Sequence, residues 1–239
     1  MKKIILTAIS LCLIGNLVSA QNLDEVLKSY FDANGQENLL KINNMSLYGK
    51  LVQGGLEIPF IQRIARPASF RMEATLQGLT LVQTYNGKEG WTINPFAGVT
   101  DPQPFTEDEL KNTKYQADLD GMLWNWKEKG YTVTLEGEDE VEGTKCFKVK
   151  IETKEGDVFT QYIDADSYMQ IRSHSKIKVQ DNETEADTFY SNYMQVGGMA
   201  IPGKISTLVG GQVVNTIVTD SVQIDAKLDP AIFEKPVNK

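Results

Sequence analysis

The sequence predicts a mainly β protein: one domain of about ten or eleven antiparallel strands, curled around an apolar interior and covered by α-helices. Three observations lead there. Apolar and polar residues alternate with a period of two over most of the chain from Met45 onward. Turn-forming pairs recur at short intervals between those runs. Helical spacing is confined to two places, one ahead of the strands and one in their midst.

The chain opens with an export signal. Lys2 and Lys3 precede an apolar run from Ile4 to Ile14, and Val18-Ser19-Ala20 supplies small residues before Gln21. That order is a secretory signal peptide over residues 1–20, with cleavage expected after Ala20. The run is too short to cross a bilayer and no second one follows, so the exported chain is not expected to span a membrane. Cys12 is not read as a lipidation site, because Leu11 is bulky where processing requires a small residue. Residues 21–239 remain as a single domain, with no linker or low-complexity stretch inside it. Loss of Lys2 and Lys3 leaves 22 basic against 32 acidic residues, a net charge of −10. Such a surface repels nucleic-acid phosphates and anionic lipid head groups, and nucleic acid is excluded as a partner. Cys146 is then the one cysteine left, so no intrachain disulfide can form. Its place in the alternating run "KCFKVKIE" predicts a buried strand position rather than a reactive thiol.

Asn22 to Ala33 reads as the first helix, because Leu23, Val26, Leu27 and Tyr30 make one apolar stripe. Asn22 and Glu25 form a capping box in sequence, and Asn34-Gly35 supplies a left-handed stop. A shorter helix is expected over Gln36 to Ile42. Strands follow. Phe70, Met72, Ala74 and Leu76 share one face, Tyr131, Val133 and Leu135 another, and Phe147, Val149 and Ile151 a third. Gly54-Gly55, Gln77-Gly78, Asn86-Gly87, Glu142-Gly143, Gly197-Gly198 and Gly210-Gly211 are hairpin signals. The interruption falls between Thr100 and Gly130. Thr106 with Glu109 caps one short helix there, and Leu119, Met122, Leu123 and Trp126 predict a second, weakened by Asp120-Gly121. Two strands, "LTLVQTY" and "VVNTIVTDSVQI", are apolar on both faces, which a sheet curled around an apolar interior explains.

Catalytic patterns are scarce. His174 is the sole histidine, and its neighbours Ser173 and Ser175 in a strand point to the opposite face, so no local dyad forms. The acidic run "EGEDEVEG" lacks the ligand spacing of a calcium loop and reads as a solvated hairpin end. There is no phosphate loop, dinucleotide fingerprint or nucleophile elbow. No catalytic residue, metal ligand or cofactor is therefore assigned, and an enzyme is not expected. The tryptophans carry more information: Trp91, Trp124 and Trp126 all fall in one stretch, with Phe96, Phe105 and Met122 close by. Each is either ordinary core or part of an apolar pocket with a polar rim.

"ARPASFRME" followed by "NGKEGWTINPF" resembles the bacterial outer-membrane lipoprotein carriers of the LolA/LolB-like superfamily. The shared features are Arg66-Pro67 with Phe70 nearby, then Asn86-Gly87-Lys88, Trp91 and Asn94-Pro95-Phe96, with Asn86 where the family has Asp. Later segments "YIDADSYMQIRS", "GGMAIPGKI" and "DPAIFEKP" extend the likeness over most of the chain. The resemblance implies an incomplete antiparallel β-barrel with helices as a lid. It also implies a periplasmic monomer of a Gram-negative envelope whose hydrophobic cavity takes the acyl chains of lipoproteins or lipid, and which meets an envelope transport partner. For such a cavity Phe70, Met72, Leu81, Trp91, Phe96 and Trp126 are the expected lining, although the middle region that holds Trp126 shows no match to the family. Arg66 is the expected latch, its five donors reaching lid carbonyls; the alternative is a surface arginine paired with carboxylates. An envelope interaction module of the same fold with a filled interior is the second reading, and a secreted hydrolase using paired carboxylates the third.

Overall fold

In the computed structural model, which describes residues 22–179 and 182–237, the first helix runs over Leu23–Asn34 (α1). The expected signal peptide, residues 1–20, lies outside the described residues. Both halves of the capping box are made: Glu25 N donates to the Asn22 side chain at 3.0 Å and Asn22 N to the Glu25 carboxylate at 3.2 Å. Gly35 ends the helix at φ 70°, and a Cβ there would stand 2.0 Å from the carbonyl oxygen of Gly198. Glycine is needed at that position both for its backbone angle and for the close approach. A single short turn of helix follows at Gln36–Leu39 (α2).

Six strands then form a meander: β1 Asn44–Gln53, β2 Leu56–Ala65, β3 Ser69–Leu76, β4 Leu79–Tyr85, β5 Gly90–Asn94 and β6 Val99–Pro104. After α3, Glu107–Gln116, a second meander follows: β7 Thr132–Val141, β8 Thr144–Glu152, β9 Val158–Asp164, β10 Gln170–Val179 and β11 Asn182–Ser191. A small ribbon (β12 Met194–Val196, β13 Met199–Ile201) leads to β14 Lys204–Val209 and β15 Gln212–Ile224. The main sheet has 13 strands in the order β6-β5-β4-β3-β2-β1-β15-β14-β11-β10-β9-β8-β7, so β14 and β15 join the two meanders. It is an open antiparallel sheet, an incomplete barrel whose edges are β6 and β7. The segment from Phe105 to Tyr131 runs from one edge to the other and thereby crosses the open side.

Two expectations need correction. The strands, 13 in the main sheet and two in the ribbon, outnumber the expected ten or eleven. β12 and β13 are too short at three residues each to show alternation, and β6, with Pro102 and Pro104, shows none and is tolerated only at an edge. The second middle helix does not form: residues 117–130 are successive turns, with Gly121, Asn125 and Gly130 all at positive φ. Its apolar stripe is buried even so, but divided. Leu119 packs with Ile42, Ile64, Phe70 and Met199, whereas Leu123 packs with Val26, Val133 and Val149.

Register fixes which side chains face the crossing segment. Met45, Ile64, Phe70 and Tyr85 lie directly opposite one another across β1–β4 and belong to one cluster under the lid. One residue along, Ser46, Arg63, Arg71, Thr84 and Trp91 make the next row, on the outer face. The C-terminal stretch covers that outer row: Arg71 Nη1 donates to the Ile232 carbonyl at 2.7 Å, and Phe233 is buried. Glu73 accepts from Arg63 and Arg71, each at 2.7 Å. Burial pushes the Glu73 carboxyl up, and hydrogen bonds from Arg71 and Arg63 more than reverse this, leaving it below its ordinary 4.5. A depressed folded-state pKa means that the bridge stabilises the protein fully above the unfolded value and loses that contribution as pH falls through the folded one. Glu73→Gln is therefore expected to cost about 1–2 kcal/mol at neutral pH, measured by urea unfolding. The gap from the parent should close as the pH is taken below 4.5; a gap independent of pH would assign the cost to packing instead.

Candidate ligand-binding site

Arg66 stands at the corner between β2 and β3, beside the lid. Its Nε donates to the Ile42 carbonyl at 2.8 Å and its Nη2 to the Leu39 carbonyl at 3.0 Å, both at the end of α2. Nη1 and Nη2 also grip the two carboxylate oxygens of Asp120, at 2.9 and 2.6 Å. Asp120 belongs to the crossing segment, and Gln36 Nε2 donates to its backbone carbonyl at 3.1 Å. One guanidinium thus joins the sheet, the N-terminal helices and the crossing segment. A bidentate carboxylate leaves the remaining donors free to satisfy the carbonyls that a helix end exposes.

A second anchor holds α3. Asp157, buried in the β8–β9 turn, accepts from Lys111 at 2.7 Å and from the Tyr115 hydroxyl at 2.5 Å. Burial, and then the hydrogen bond to Asp157, raise the Tyr115 pKa, so its hydroxyl stays a donor. Farther along, Lys129 ties the turns together through Asp118 at 2.5 Å and the Gly121 carbonyl at 2.7 Å.

Under this lid the concave face has three zones. The β1–β4 flank is apolar and packed against Ile42, Ala117 and Leu119, and the β7–β9 flank is apolar and packed against α1. Between them lies a chamber of about 310 Å³. Its roof is Tyr30, Phe31, Tyr115 and Met122, and its floor carries Phe159, Gln161, Ser173, Ser175, Thr188 and Tyr190. Gln161 is buried and its Oε1 has no hydrogen-bond partner, while Ser173 and Tyr190 share a bond at 3.1 Å. Burial, with a smaller push from Tyr190, takes the Tyr30 hydroxyl up to about 12, so it stays neutral at ordinary pH. A larger groove of about 770 Å³ lies between α1, α2 and the turns at 123–128. Leu27, Phe31, Leu40, Leu123, Trp124 and Trp126 form its apolar part, and Lys28, Glu37 and Lys127 are among its charged lining.

Three solved structures share this architecture. A DUF1329 family protein from Desulfovibrio piger aligns with a TM-score of 0.59 at 14% identity, over 87% of this chain and 97% of its own. A LolA superfamily protein from Nitrosomonas europaea gives 0.57 at 11% identity, over 90% and 99%. An outer membrane lipoprotein-sorting protein domain from Vibrio parahaemolyticus gives 0.56 at 7% identity, over 87% and 97%. The fold is LolA-like. No sequence-family model matches the chain, and no curated protein sequence matches it.

Within the LolA-like fold, the residues expected to line the cavity do not come together as one wall. Phe70, Met72 and Leu81 share the concave face; Phe70 is fully packed under the lid, and the other two are half-buried. Trp91 is a correction: its register partner is Thr84, in the row beside Arg71, so it lies on the outer face. Phe96 is a second correction, since it sits 46% exposed in the 3-10 turn Pro95–Ala97 at a hairpin tip. Trp126 lines the groove outside the chamber. His174 and Ser173 do face opposite ways: His174 Nδ1 lies 3.0 Å from Asp187 Oδ1, while Ser173 meets Tyr190. Sequence reading missed Asp120, taken only as a helix-weakening neighbour of Gly121. It also missed the polar floor, whose one-face pattern in β10 (Ser173, Ser175) reads as a solvent face when taken alone.

Arg66→Ala is expected to destabilise the protein by about 2 kcal/mol, because it strands a carboxylate and two carbonyls. It should also speed backbone hydrogen exchange selectively in residues 36–42 and 117–130. Arg66→Lys keeps the charge but not the fork and should recover less than half of the loss. Unchanged exchange in those two segments would show that the contact does not hold the lid.

Proposed function

We propose that this protein is a periplasmic carrier that holds the acyl chains of a lipoprotein or a lipid against the concave face of its sheet. The observation that carries the reading is the Arg66 junction. An apolar sheet face is covered by chain segments fastened at a few polar points. Of these, Arg66 alone joins the N-terminal helices and the crossing segment to the β1–β4 side, and such a cover can lift there without breaking the sheet's own ladder. In this reading residues 1–20 direct export, Arg66 is the latch, and Phe70, Met72 and Leu81 form the surface that receives the chain. Each buried methylene contributes about 0.8 kcal/mol, so binding needs no catalytic group. The lipoprotein-sorting domain and the LolA superfamily protein that share the fold are consistent with this role. A second reading, an envelope interaction module with a filled interior, is favoured by the close packing of Phe70 with Ile42, Ala117 and Leu119.

Native mass spectrometry of protein recovered from a Gram-negative periplasm, followed by lipid extraction, separates the two. A carrier co-purifies with an acylated species or takes up an added fatty-acyl probe. Leu81→Asp places a charge on the half-buried concave face and should lower probe binding at least about tenfold. The variant should keep the parent's circular dichroism. Parent protein that emerges bare and rejects the probe would leave the filled interaction module.

A further inference from the structure

Among the described residues, the large hydrophobic side chains exposed to solvent are Leu56, Leu79, Phe96, Val209, Val213, Val214 and the near-terminal Val237. Val237 apart, every one sits in or beside one of four hairpin tips: Gln53–Leu56, Leu76–Leu79, Asn94–Val99 and Leu208–Val214. β1, β3, β5 and β14 all run towards the same end of the sheet, so the four tips share that end. In a chain that is 23% charged, they contain no Asp, Glu, Lys, Arg or His. The turns at Asn86–Glu89 and Glu142-Gly143, at the opposite end, carry charge. At the tips' own end the Thr153–Asp157 turn and the β10–β11 hairpin, with Lys176 and Glu185, are charged too, so the uncharged rim is confined to the β1–β6 and β14–β15 side. The glycines at the four tips have positive φ and nothing within 4 Å of where a Cβ would stand, so no other part of the protein packs on them.

We propose that these four tips form a membrane-contact rim that seats in the interface of a zwitterionic phospholipid bilayer. Register supports a common level. From β5/β6 to β3/β4, β1/β2 and β14/β15, each tip extends farther out than the last, by about two residues on average. That is roughly 7 Å of rise for every roughly 10 Å across the sheet. The slope is close to the 35–45° lean of strands in a barrel, so measured along the barrel axis the tips come level. The chemistry selects lipid over protein. Protein interfaces add Arg anchors and a rim of directed hydrogen bonds to their apolar centre, and the tips have no Arg and no charged side chain to supply them. Aliphatic side chains and one Phe on uncharged Gly and Gln turns can dip below the head groups into the acyl boundary, where a charge is costly. The chain from Gln21 onward, with 22 basic against 32 acidic residues, carries a net charge of −10, which disfavours anionic lipid and points to a zwitterionic surface.

The test is flotation of the chain beginning at Gln21, which contains every described residue, with phosphatidylcholine vesicles. The parent should float with the vesicles, and adding phosphatidylglycerol should reduce the bound fraction at low salt. Leu79→Asp combined with Val213→Asp should cut binding at least about tenfold, with Tm unchanged because both side chains are already exposed. Failure of the parent to float would overturn the proposal, as would equal flotation by the double variant. Absence of flotation together with a protein partner lost in the double variant would overturn it too, and would give the rim to that protein. Acyl-probe binding is read separately, so none of these results bears on the carrier reading.

Discussion

The contact between the Arg66 guanidinium and Asp120 is what lets an open sheet keep a covered face. Thirteen strands that do not close leave a wide concave surface, and the segment from Phe105 to Tyr131 must cross it without a regular helix over much of its length. A run of turns has few internal hydrogen bonds, so it needs fixed points on what it covers. Arg66 supplies one at the β1–β4 side, and Asp157, through Lys111 and Tyr115, supplies another at the β8–β9 side. Because Arg66 also takes the carbonyls of Leu39 and Ile42, the N-terminal helices and the crossing segment are held from a single point on the sheet. A lysine there could not serve three partners in fixed directions at once.

The zoning of the concave face follows from where that cover can press. Near each fixed point, apolar side chains from lid and sheet interlock: Leu119 and Ile42 on Phe70 at one flank, Val26 and Leu123 on Val149 at the other. Between them the sheet is too broad to be filled. Bare apolar walls around a gap would forfeit dispersion contacts, whereas hydroxyls and amides can be satisfied by each other or by solvent. The floor is built that way, with Ser173, Ser175, Thr188 and Gln161 among its residues. A chamber polar at its centre and apolar at both sides suits an amphiphile better than a plain hydrocarbon.

How much of this was legible depended on the range over which each signal acts. The caps of α1 and α3 were readable because a capping box is settled within four residues, and both formed as spaced. Cys146 was placed correctly because strand alternation is equally local. The stripe from Leu119 to Trp126 gave the right buried residues and the wrong backbone, since turns at Gly121 and Asn125 can bury the same side chains in two different clusters. Trp91 failed for another reason. Its face is set by a parity that passes through two hairpins from Phe70, and no residue of its own neighbourhood reports that count. Asp120 was invisible because its partner, Arg66, lies 54 positions away.

Lid and cargo, on the carrier reading, compete for one surface. Ile42, Ala117 and Leu119 already occupy the apolar flank on which an acyl chain would lie, so loading must first undo that packing and the Arg66 contact. The opening cost is subtracted from the affinity, because only the open fraction can bind. A chain of about sixteen carbons offers on the order of 12 kcal/mol of transfer free energy, which exceeds an opening cost of a few kcal/mol and leaves moderate net binding. The closed state then works in the opposite direction at delivery: once a more apolar acceptor draws the chain away, the lid repacks and opposes its return. A carrier tuned in this way needs no nucleotide and no covalent step. Its affinity is set by the cost of lifting Ile42, Ala117 and Leu119 from the sheet together with that of freeing Asp120 and the two helix-end carbonyls from Arg66.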